Sequence, residues 1–375
     1  MSAVARPLEG LLVLEFGTLL PGPLAGLILA EAGARVVKIE RPPRGDEMRS
    51  YEPKVGEDSI NFLLLNRGKQ SIAVDLKAPD ALTRLRPLIE NADVLIEQFR
   101  PGVMQRLGFG HEALRRMNPR LIYCSITGWG QDGPKSAVAA HDLNFAAETG
   151  LLSLTSGVDG VPALPPVLVA DIAGGAYPAV MNVLLALQQR QRTGVGTYLD
   201  IGMSDNLFPL IYWGLGNGFA AGDWPRPGGE LLTGASPRYH IYRTADGRFL
   251  AAAPLEDRFW EDFCRLIELP HALRSASAPS AEVIAEVGRR IAQRTADEWR
   301  AELRGRDVCC SIVATLQEAV QDPQVQARQV FAHRLMVNGR ELPALPVPLA
   351  PTFRASATAA SAPRLGGMPD PTSQL

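Results

Sequence analysis

The first half of the chain alternates short apolar runs with helical stretches, and this alternation constrains the fold more than any other feature. Leu11 to Phe16 is an apolar run suited to a buried strand, a Gly/Pro turn and a helix over about 23–32 follow, and a second strand begins at Arg35. The order returns between 71 and 96 as strand, helix and strand, and 121–126 adds another strand. Such alternation predicts an α/β fold with an open parallel sheet, whose ligand binds beyond the carboxyl ends of the strands.

The second half predicts a long helix, a linker and a smaller domain. A helix over 171–192 begins at Asp171, a good N-cap, and a strand at 198–201 precedes a helix over 204–221. The Gly/Pro-rich stretch 222–234 is typical of a linker.

After this linker we predict an α+β domain. Two strands, 239–243 and 249–253, flank the turn Thr244-Ala245-Asp246-Gly247 and indicate a hairpin. Three helices complete the domain, at about 257–267, 280–293 and 296–303. We expect the Pro/Ala/Ser-rich tail from Leu342 onward to wrap over the surface rather than to form a core.

Charge and cysteine content restrict the partners. The 375 residues include 38 Lys+Arg and 40 Asp+Glu, a formal net charge of -2, so no basic field attracts nucleic acid. The apolar stretch 16–30 is interrupted by two prolines and is shorter than the roughly 20 residues that span a bilayer. Cys124, Cys264, Cys309 and Cys310 form neither a disulfide framework nor a zinc pattern. We expect a cytoplasmic protein with no membrane or nucleic-acid partner and no metal site.

Cations recur next to the ends of the predicted strands. They are Arg41, Arg67, Lys69, Arg100 and Arg106. If they share one sheet edge, they form a site for a polyanion such as a phosphorylated cofactor, although each alone is explained by solvated surface charge. The turn 17–23 has glycines that let a phosphate approach a helix N-terminus, but it matches neither GxGxxG nor a P-loop.

Three further residues are candidates for acid–base chemistry. His141 has the side chain best suited to a base near neutral pH, although a lone histidine is more often structural. Asp171 is explained by its role as an N-cap, and the positive helix end would lower its pKa and keep it an anion. Glu256 starts a helix, where a carboxylate is favourable without any catalytic role.

Several segments between residue 7 and about 327 resemble the family III CoA-transferases (CaiB/BaiF), in the branch that contains α-methylacyl-CoA racemase. They are Leu14-Glu15-Phe16 with Pro21-Gly22-Pro23, Val36-Val37-Lys38-Ile39-Glu40-Arg41-Pro42, Leu65-Asn66-Arg67-Gly68-Lys69, Asp93-Val94-Leu95-Ile96-Glu97 with Phe99-Arg100-Pro101-Gly102, and Thr127-Gly128-Trp129-Gly130-Gln131-Asp132-Gly133-Pro134. The resemblance implies an enzyme with a Rossmann-like large domain and a smaller α+β domain, in an interlocked homodimer.

The resemblance also implies a reaction. In the racemase branch, His141 and Asp171 would invert the α-carbon of a 2-methylacyl-CoA by 1,1-proton transfer through an enolate, and Glu256 would orient the histidine, with Asp142 as a less favoured partner. The start of the helix, 172–175, would supply N–H donors to the enolate oxygen. The alternative is CoA transfer between carboxylic acids through a covalent Asp171 intermediate. His141-Asp142-Leu143-Asn144-Phe145 favours the racemase, because transferases of the family generally lack this histidine.

The remaining implications concern ligand and domains. The CoA moiety belongs to the acyl-CoA substrate, no separate cofactor is implied, and Glu256 would come from the other subunit. The implied CoA contacts are Arg41, Leu65, Asn66, Arg67, Lys69, Phe99, Arg100, Arg106, Ala140, Asp142, Asn144 and Phe145. The implied domains are 1–205 (large, CoA-binding), 206–234 (linker), 235–325 (small) and 326–375 (a return segment on the large domain). Arg238 replaces an aromatic residue usual in the racemases, which suggests a polar or acidic acyl group.

Overall fold

The structure, a computed structural model, describes residues 6–155, 161–354 and 359–369. These residues divide into two compact units. The first unit contains the described residues of Met1–Thr149, Pro166–Leu210 and Arg328–Leu375, and the second contains those of Gly150–Pro165 and Ile211–Ala327.

Strands and helices follow one another along both units. The strands are β1 (Leu12–Glu15), β2 (Arg35–Glu40), β3 (Lys54–Val55), β4 (Asp58–Ser59), β5 (Gln70–Ala73), β6 (Val94–Glu97), β7 (Ile122–Thr127), β8 (Tyr198–Gly202), β9 (His240–Arg243), β10 (Phe249–Ala252), β11 (Cys310–Ile312), β12 (Arg334–Val337), β13 (Arg340–Pro343) and β14 (Ala359–Ala360). The α-helices are α1 (Pro21–Glu31), α2 (Ile60–Asn66), α3 (Ala81–Asn91), α4 (Val103–Arg106), α5 (His111–Met117), α6 (Asp142–Glu148), α7 (Tyr177–Thr193), α8 (Tyr212–Ala221), α9 (Asp257–Leu266), α10 (Ser280–Ile291), α11 (Ala296–Leu303), α12 (Leu316–Gln321) and α13 (Pro323–Ala327).

The first unit is built on a six-stranded sheet in the order β5-β2-β1-β6-β7-β8, in which every neighbouring pair is parallel. This confirms the predicted α/β fold. All residues of β1, β6 and β7 are buried, as expected for strands covered on both faces. The chain first builds outward from β1 through β2 to β5 and then returns to place β6 on the other side of β1. The connections after β1 and β6 therefore diverge and leave a crevice at the carboxyl ends of these strands.

Four charged residues lie buried beneath this crevice, and we call them the Glu15 cluster: Glu15, Lys38, Asp46 and Lys69. Lys38 Nζ lies 2.9 Å from both Glu15 Oε1 and Asp46 Oδ2 and donates to the Gly17 carbonyl. Lys69 Nζ lies 2.7 Å from Glu15 Oε2. Burial opposes the charge of Lys38, but the two carboxylates outweigh burial and raise its pKa. The cluster thus fixes β1, β2 and the turn after β1 to one another.

The predicted helix over 171–192 begins differently in the structure. Ala170–Ala176 is π-helical and continues directly into α7, so Asp171 lies inside the first turn and is not an N-cap. A Cβ on Gly174 would lie 2.4 Å from the Met203 carbonyl oxygen, which shows how closely this segment approaches the backbone after β8. The close approach accounts for the small residues of this stretch.

Two other expectations change. The predicted helix over 204–221 is a 3-10 helix at Asp205–Ile211 followed by α8, and Pro209 lies within its 3-10 part. The C-terminal tail does form part of a core, contrary to expectation, because β12 pairs with β13 and β14 and Ala344 packs with the buried residues Phe62, Leu63, Leu335 and Val337. Residues 355–358 and 370–375 of the predicted return segment lie outside the described residues.

The second unit contains an antiparallel sheet in the order β11-β10-β9. The predicted hairpin is present as β9 and β10. Its core contains Trp260, Phe263, Val287 and Trp299, contributed by α9, α10 and α11. The stretch 222–234, predicted to be a linker, belongs to this unit and includes a 3-10 turn at Leu231–Thr233.

Within the described residues, one helical stretch, Ala170–Thr193, is long and apolar enough to cross a membrane by length and composition alone. Core helices pass the same test, and α7 packs against β7 and β8. No group of three His, Cys, Asp or Glu side chains suited to a metal ion occurs in the described part of the chain.

We predict that Lys38→Met lowers the free energy of unfolding by about 3–5 kcal/mol, because it leaves the Asp46 carboxylate buried without a cation and leaves Glu15 with Lys69 alone. Arg86→Ala is the matched control, since the Arg86–Glu90 pair is exposed and its loss should cost less than about 1 kcal/mol. Urea denaturation followed by circular dichroism measures both. Equal effects of the two substitutions would contradict a stabilising role for the Glu15 cluster.

Candidate active site

A cavity of about 400 Å³ opens in the first unit at the carboxyl ends of β1, β6 and β7. It is lined by Leu19, Pro21, Gln98, Phe99, Arg100, Pro101, Ile126, Thr127, Gly128, Trp129, Ser136, Val138, Ala139, Ala140, His141, Asn144, Phe145, Asp171 and Met203. The lining therefore includes both predicted proton-transfer residues, His141 and Asp171. The cavity lies where the sheet topology leaves a crevice.

His141 occupies the N-cap position of α6. Its backbone N–H donates to Asn144 Oδ1 at 3.0 Å, and its carbonyl accepts from the Asn144 N–H at 2.8 Å. These two hydrogen bonds close the first turn of α6 and fix the backbone of His141, from which the imidazole extends. The His141 side chain is exposed and lines the cavity.

Asp142 connects this helix end to Asp171. Its buried carboxylate oxygen Oδ1 accepts hydrogen bonds from the N–H groups of Ala170, at 2.7 Å, and Asp171, at 3.0 Å. The residue that follows His141 therefore fixes the backbone of Asp171. This contact joins two segments that are far apart in the sequence but together line the cavity.

The pKa of the Asp171 carboxyl group lies near neutral pH. Burial raises its pKa, the Asp142 carboxylate raises it further, and the resulting value is about 7. The prediction of a lowered pKa is therefore wrong, because burial and the neighbouring Asp142 carboxylate both raise the pKa of Asp171. A carboxyl group with a pKa of about 7 can both release and accept a proton near neutral pH.

Gln98 was not among the predicted site residues, yet it holds the turn after β1. Its Oε1 accepts from the Gly22 N–H at 3.0 Å, and its Nε2 donates to the Thr18 carbonyl at 2.7 Å. A Cβ at Gly22 would lie 2.6 Å from the same Oε1, so only glycine permits this contact. The available signal was its position directly after β6.

Leu19, in the same turn, adopts a left-handed backbone conformation, with φ of 61°. Its N–H donates to Asp46 Oδ1 at 3.0 Å. The Glu15 cluster therefore extends to the cavity wall and holds a strained residue there.

The predicted CoA contacts separate into three groups. Phe99, Arg100, Ala140, Asn144 and Phe145 line the cavity, whereas Arg41 and Arg106 are exposed outside its lining. Leu65, Asn66, Arg67 and Lys69 are buried, and Asp142 lies buried behind His141.

The cations of the buried group already have partners. Arg67 Nε lies 2.8 Å from Glu31 Oε1, and its Nη2 donates to the Leu345 carbonyl, while Lys69 pairs with Glu15. Each charge is neutralised inside the protein, so neither cation needs a phosphate as its partner, and contact of these residues with CoA stays a prediction.

Glu256 and Ile172 differ from the other predicted site residues in what the structure shows of them. Glu256 is the exposed N-cap of α9 in the second unit and does not line the cavity. The Ile172 N–H donates to the Leu168 carbonyl at 3.0 Å and is therefore not free for an enolate oxygen as expected.

Comparison with known proteins places this site in a family. The family model described as CoA-transferase family III matches residues 8–368. The chain belongs to CoA-transferase family III. Alpha-methylacyl-CoA racemase of Mus musculus is 36% identical over 350 residues, covering 91% of this chain and 86% of that protein. Acetyl-CoA:oxalate CoA-transferase of Acetobacter aceti is 32% identical over 334 residues, covering 87% and 85%.

A solved structure agrees with this family III assignment. The crystal structure of a CAIB/BAIF family protein from Brucella suis superposes with a TM-score of 0.81 at 29% identity, and 97% of each chain is covered. Racemase and transferase relatives occur at similar identity, so membership of the family suggests an enzyme but does not decide between the two reactions.

We predict that Asp142→Asn lowers the pKa of Asp171 from about 7 but leaves it above the ordinary value, because the like charge is removed while burial remains. The amide oxygen of asparagine can still accept the two N–H groups, so the backbone should stay in place. Carboxyl-carbon NMR titration measures the pKa, with the exposed Asp132→Asn as a control that leaves it unchanged. An unaltered pKa in Asp142→Asn would contradict this electrostatic coupling.

Proposed function

We propose that this protein is a racemase or epimerase of 2-methylacyl-CoA thioesters. The observation that carries the proposal is that His141 and Asp171 line one cavity. The imidazole of His141 and the carboxyl group of Asp171, whose pKa is about 7, come from two different helical segments. Inversion at a carbon next to a thioester carbonyl needs a base on one face and an acid on the other, each able to exchange roles.

The proposed reaction is a 1,1-proton transfer. For one epimer, neutral His141 removes the α-proton, the electron pair of the C–H bond delocalises to the thioester oxygen as an enolate, and protonated Asp171 delivers its proton to the opposite face. The other epimer reacts in reverse, from the Asp171 carboxylate to the imidazolium. Asp142 fixes the Asp171 backbone for both directions. In the proposed homodimer, Glu256 of the partner subunit orients the His141 ring and keeps its reactive nitrogen toward the substrate.

The substrate is an acyl-CoA, and the reaction as proposed uses no metal or separate cofactor. Arg100 at the cavity rim and the exposed Arg41 and Arg106 are the proposed contacts for the CoA phosphates. Phe99 and Phe145 provide apolar walls for the pantetheine end. The four cysteines are unpaired, which agrees with the cytoplasmic location that we propose.

The proposed assembly is an interlocked homodimer in which the partner subunit supplies Glu256. The outer face of α7 exposes Met181, Leu184 and Leu185, and α8 exposes Tyr212 and Phe219 at more than two thirds of their surface. Apolar faces of this kind are typical of protein interfaces.

The second candidate is CoA transfer through Asp171. It is supported by the position of Asp171 in the cavity and by the transferase relatives. In this reaction the Asp171 carboxylate attacks the carbonyl of a donor acyl-CoA and expels CoA thiolate, which attacks the Asp171 carbonyl of the resulting anhydride and releases the donor carboxylate. The acceptor carboxylate then attacks the enzyme-bound thioester and expels CoA thiolate again. This thiolate attacks the acceptor carbonyl of the second anhydride, which forms the new acyl-CoA and restores the Asp171 carboxylate.

We expect solvent deuterium to enter the α-carbon of either epimer of a 2-methylacyl-CoA in D2O while the stereocentre scrambles. His141→Ala and Asp171→Ala should each lower racemisation at least about 100-fold, because each removes one acid–base group. Each variant should still exchange deuterium into the one epimer whose proton faces the remaining group. NMR and mass spectrometry of separately prepared epimers measure both effects.

The same samples distinguish the transferase. If it operates, His141→Ala keeps most of its activity with a dicarboxylic acceptor, and hydroxylamine converts Asp171 to a hydroxamate during turnover. Trapping of Asp171 together with no α-deuterium in any of several acyl chains would overturn the racemase proposal.

A further inference from the structure

Arg238 contacts both neighbours of Glu256 in the second unit. Its Nη1 donates to the Leu255 carbonyl at 2.9 Å and to Asp257 Oδ1 at 2.7 Å. Glu256 lies between these two residues as the N-cap of α9. One guanidinium group therefore contacts the residue before Glu256 and the residue after it.

The position of Arg238 is itself fixed. Arg238 lies within a tight turn, in which the Tyr239 N–H donates to the Ser236 carbonyl at 3.0 Å. Its guanidinium carbon lies 5.3 Å from the ring centre of Trp260, which is 2% exposed and belongs to the core of the unit. This cation–π contact with a buried indole fixes the guanidinium group relative to the core, and the guanidinium group in turn contacts the start of α9.

The segment that carries Glu256 has few other attachments. The Ala253 N–H donates to the Cys309 carbonyl at 2.9 Å, and the Trp260 N–H donates to the Glu256 carbonyl at 3.0 Å. The Glu256 side chain is exposed and forms no capping hydrogen bond at its own helix. Its direction is therefore set by the backbone around it rather than by contacts of the carboxylate.

We propose that Arg238 is a positioning residue, which holds the backbone at 255–257 so that the Glu256 carboxylate meets the imidazole of His141 of the partner subunit in one orientation. The inference rests on the proposed function, in which Glu256 orients that histidine. The sequence suggested instead that Arg238 favours a polar or acidic acyl group. The structure engages its guanidinium with Leu255 and Asp257, so the charge has a partner without any substrate.

The test is a double-mutant cycle of Arg238→Ala and Glu256→Gln in the full-length protein, with a 2-methylacyl-CoA as substrate. Arg238→Ala alone should lower kcat roughly ten- to a hundredfold, the effect of a displacement on the order of 1 Å at a reacting group. KM should stay unchanged, because a residue that acts only by positioning Glu256 adds nothing to substrate binding. In the Glu256→Gln background the same substitution should have no further effect, because the group that it positions has already lost its charge.

The pH profile provides a readout that a purely structural role would not change. A carboxylate aligned with an imidazolium raises the pKa of the imidazole. Both Arg238→Ala and Glu256→Gln should therefore shift the acid limb of kcat to lower pH in the direction in which His141 is the base. Arg238→Lys retains one donor for the Leu255 carbonyl and should restore part of kcat and of the profile.

Arg243→Ala is the matched control. Arg243 belongs to the same unit as Arg238 and also stacks on an aromatic ring, that of Phe249, but within the described residues no hydrogen bond joins it to 255–257. It should leave kcat and the pH profile unchanged, and thermal melting verifies that each variant is folded. Equal losses from Arg238→Ala in both backgrounds, with no shift of the profile, would overturn this inference and leave the racemase proposal standing. Full activity of Glu256→Gln would remove the proposed role of Glu256 itself, and the role of Arg238 with it.

Discussion

One oxygen of the Asp142 carboxylate accepts hydrogen bonds from the N–H groups of Ala170 and Asp171, and the site depends on this contact. It fixes the backbone of Asp171 relative to the helix whose N-cap is His141. The same charge, added to burial, holds the pKa of Asp171 at about 7. One side chain therefore fixes the backbone of Asp171 and adds to the effect of burial on its pKa. The Asp142 carboxylate opposes ionisation of the neighbouring Asp171 carboxyl group, and such unfavourable pairs of like charges are typical of functional sites.

The sheet provides the place for this contact. The order β5-β2-β1-β6-β7-β8 separates the connections after β1 and β6, and the cavity lies between them. The Glu15 cluster holds the first of these connections through Gly17 and Leu19, and Gln98 holds it from the second. Charged and polar side chains thus stiffen a turn that hydrophobic packing alone would not hold, and the cavity wall keeps its shape.

The strands of the sheet and the proximity of His141 and Asp171 could be predicted, because apolar periodicity and family motifs depend on local sequence. The π-helical start of α7 could not, because it depends on the distant backbone at Met203. The burial of Arg67 and Lys69 was missed for a similar reason: their partners Glu31 and Glu15 come from other parts of the chain. A sequence indicates that a cation follows a helix, but only the packed structure shows whether it faces solvent or a buried carboxylate.

The most direct measurement is a crystal structure of the protein with an unreactive thioether analogue of a 2-methylacyl-CoA. We expect a ring nitrogen of His141 and a carboxyl oxygen of Asp171 on opposite faces of the α-carbon, each within about 3.5 Å of it. Both groups on the same face of that carbon, or an analogue bound with its α-carbon outside the cavity, would contradict proton transfer between them.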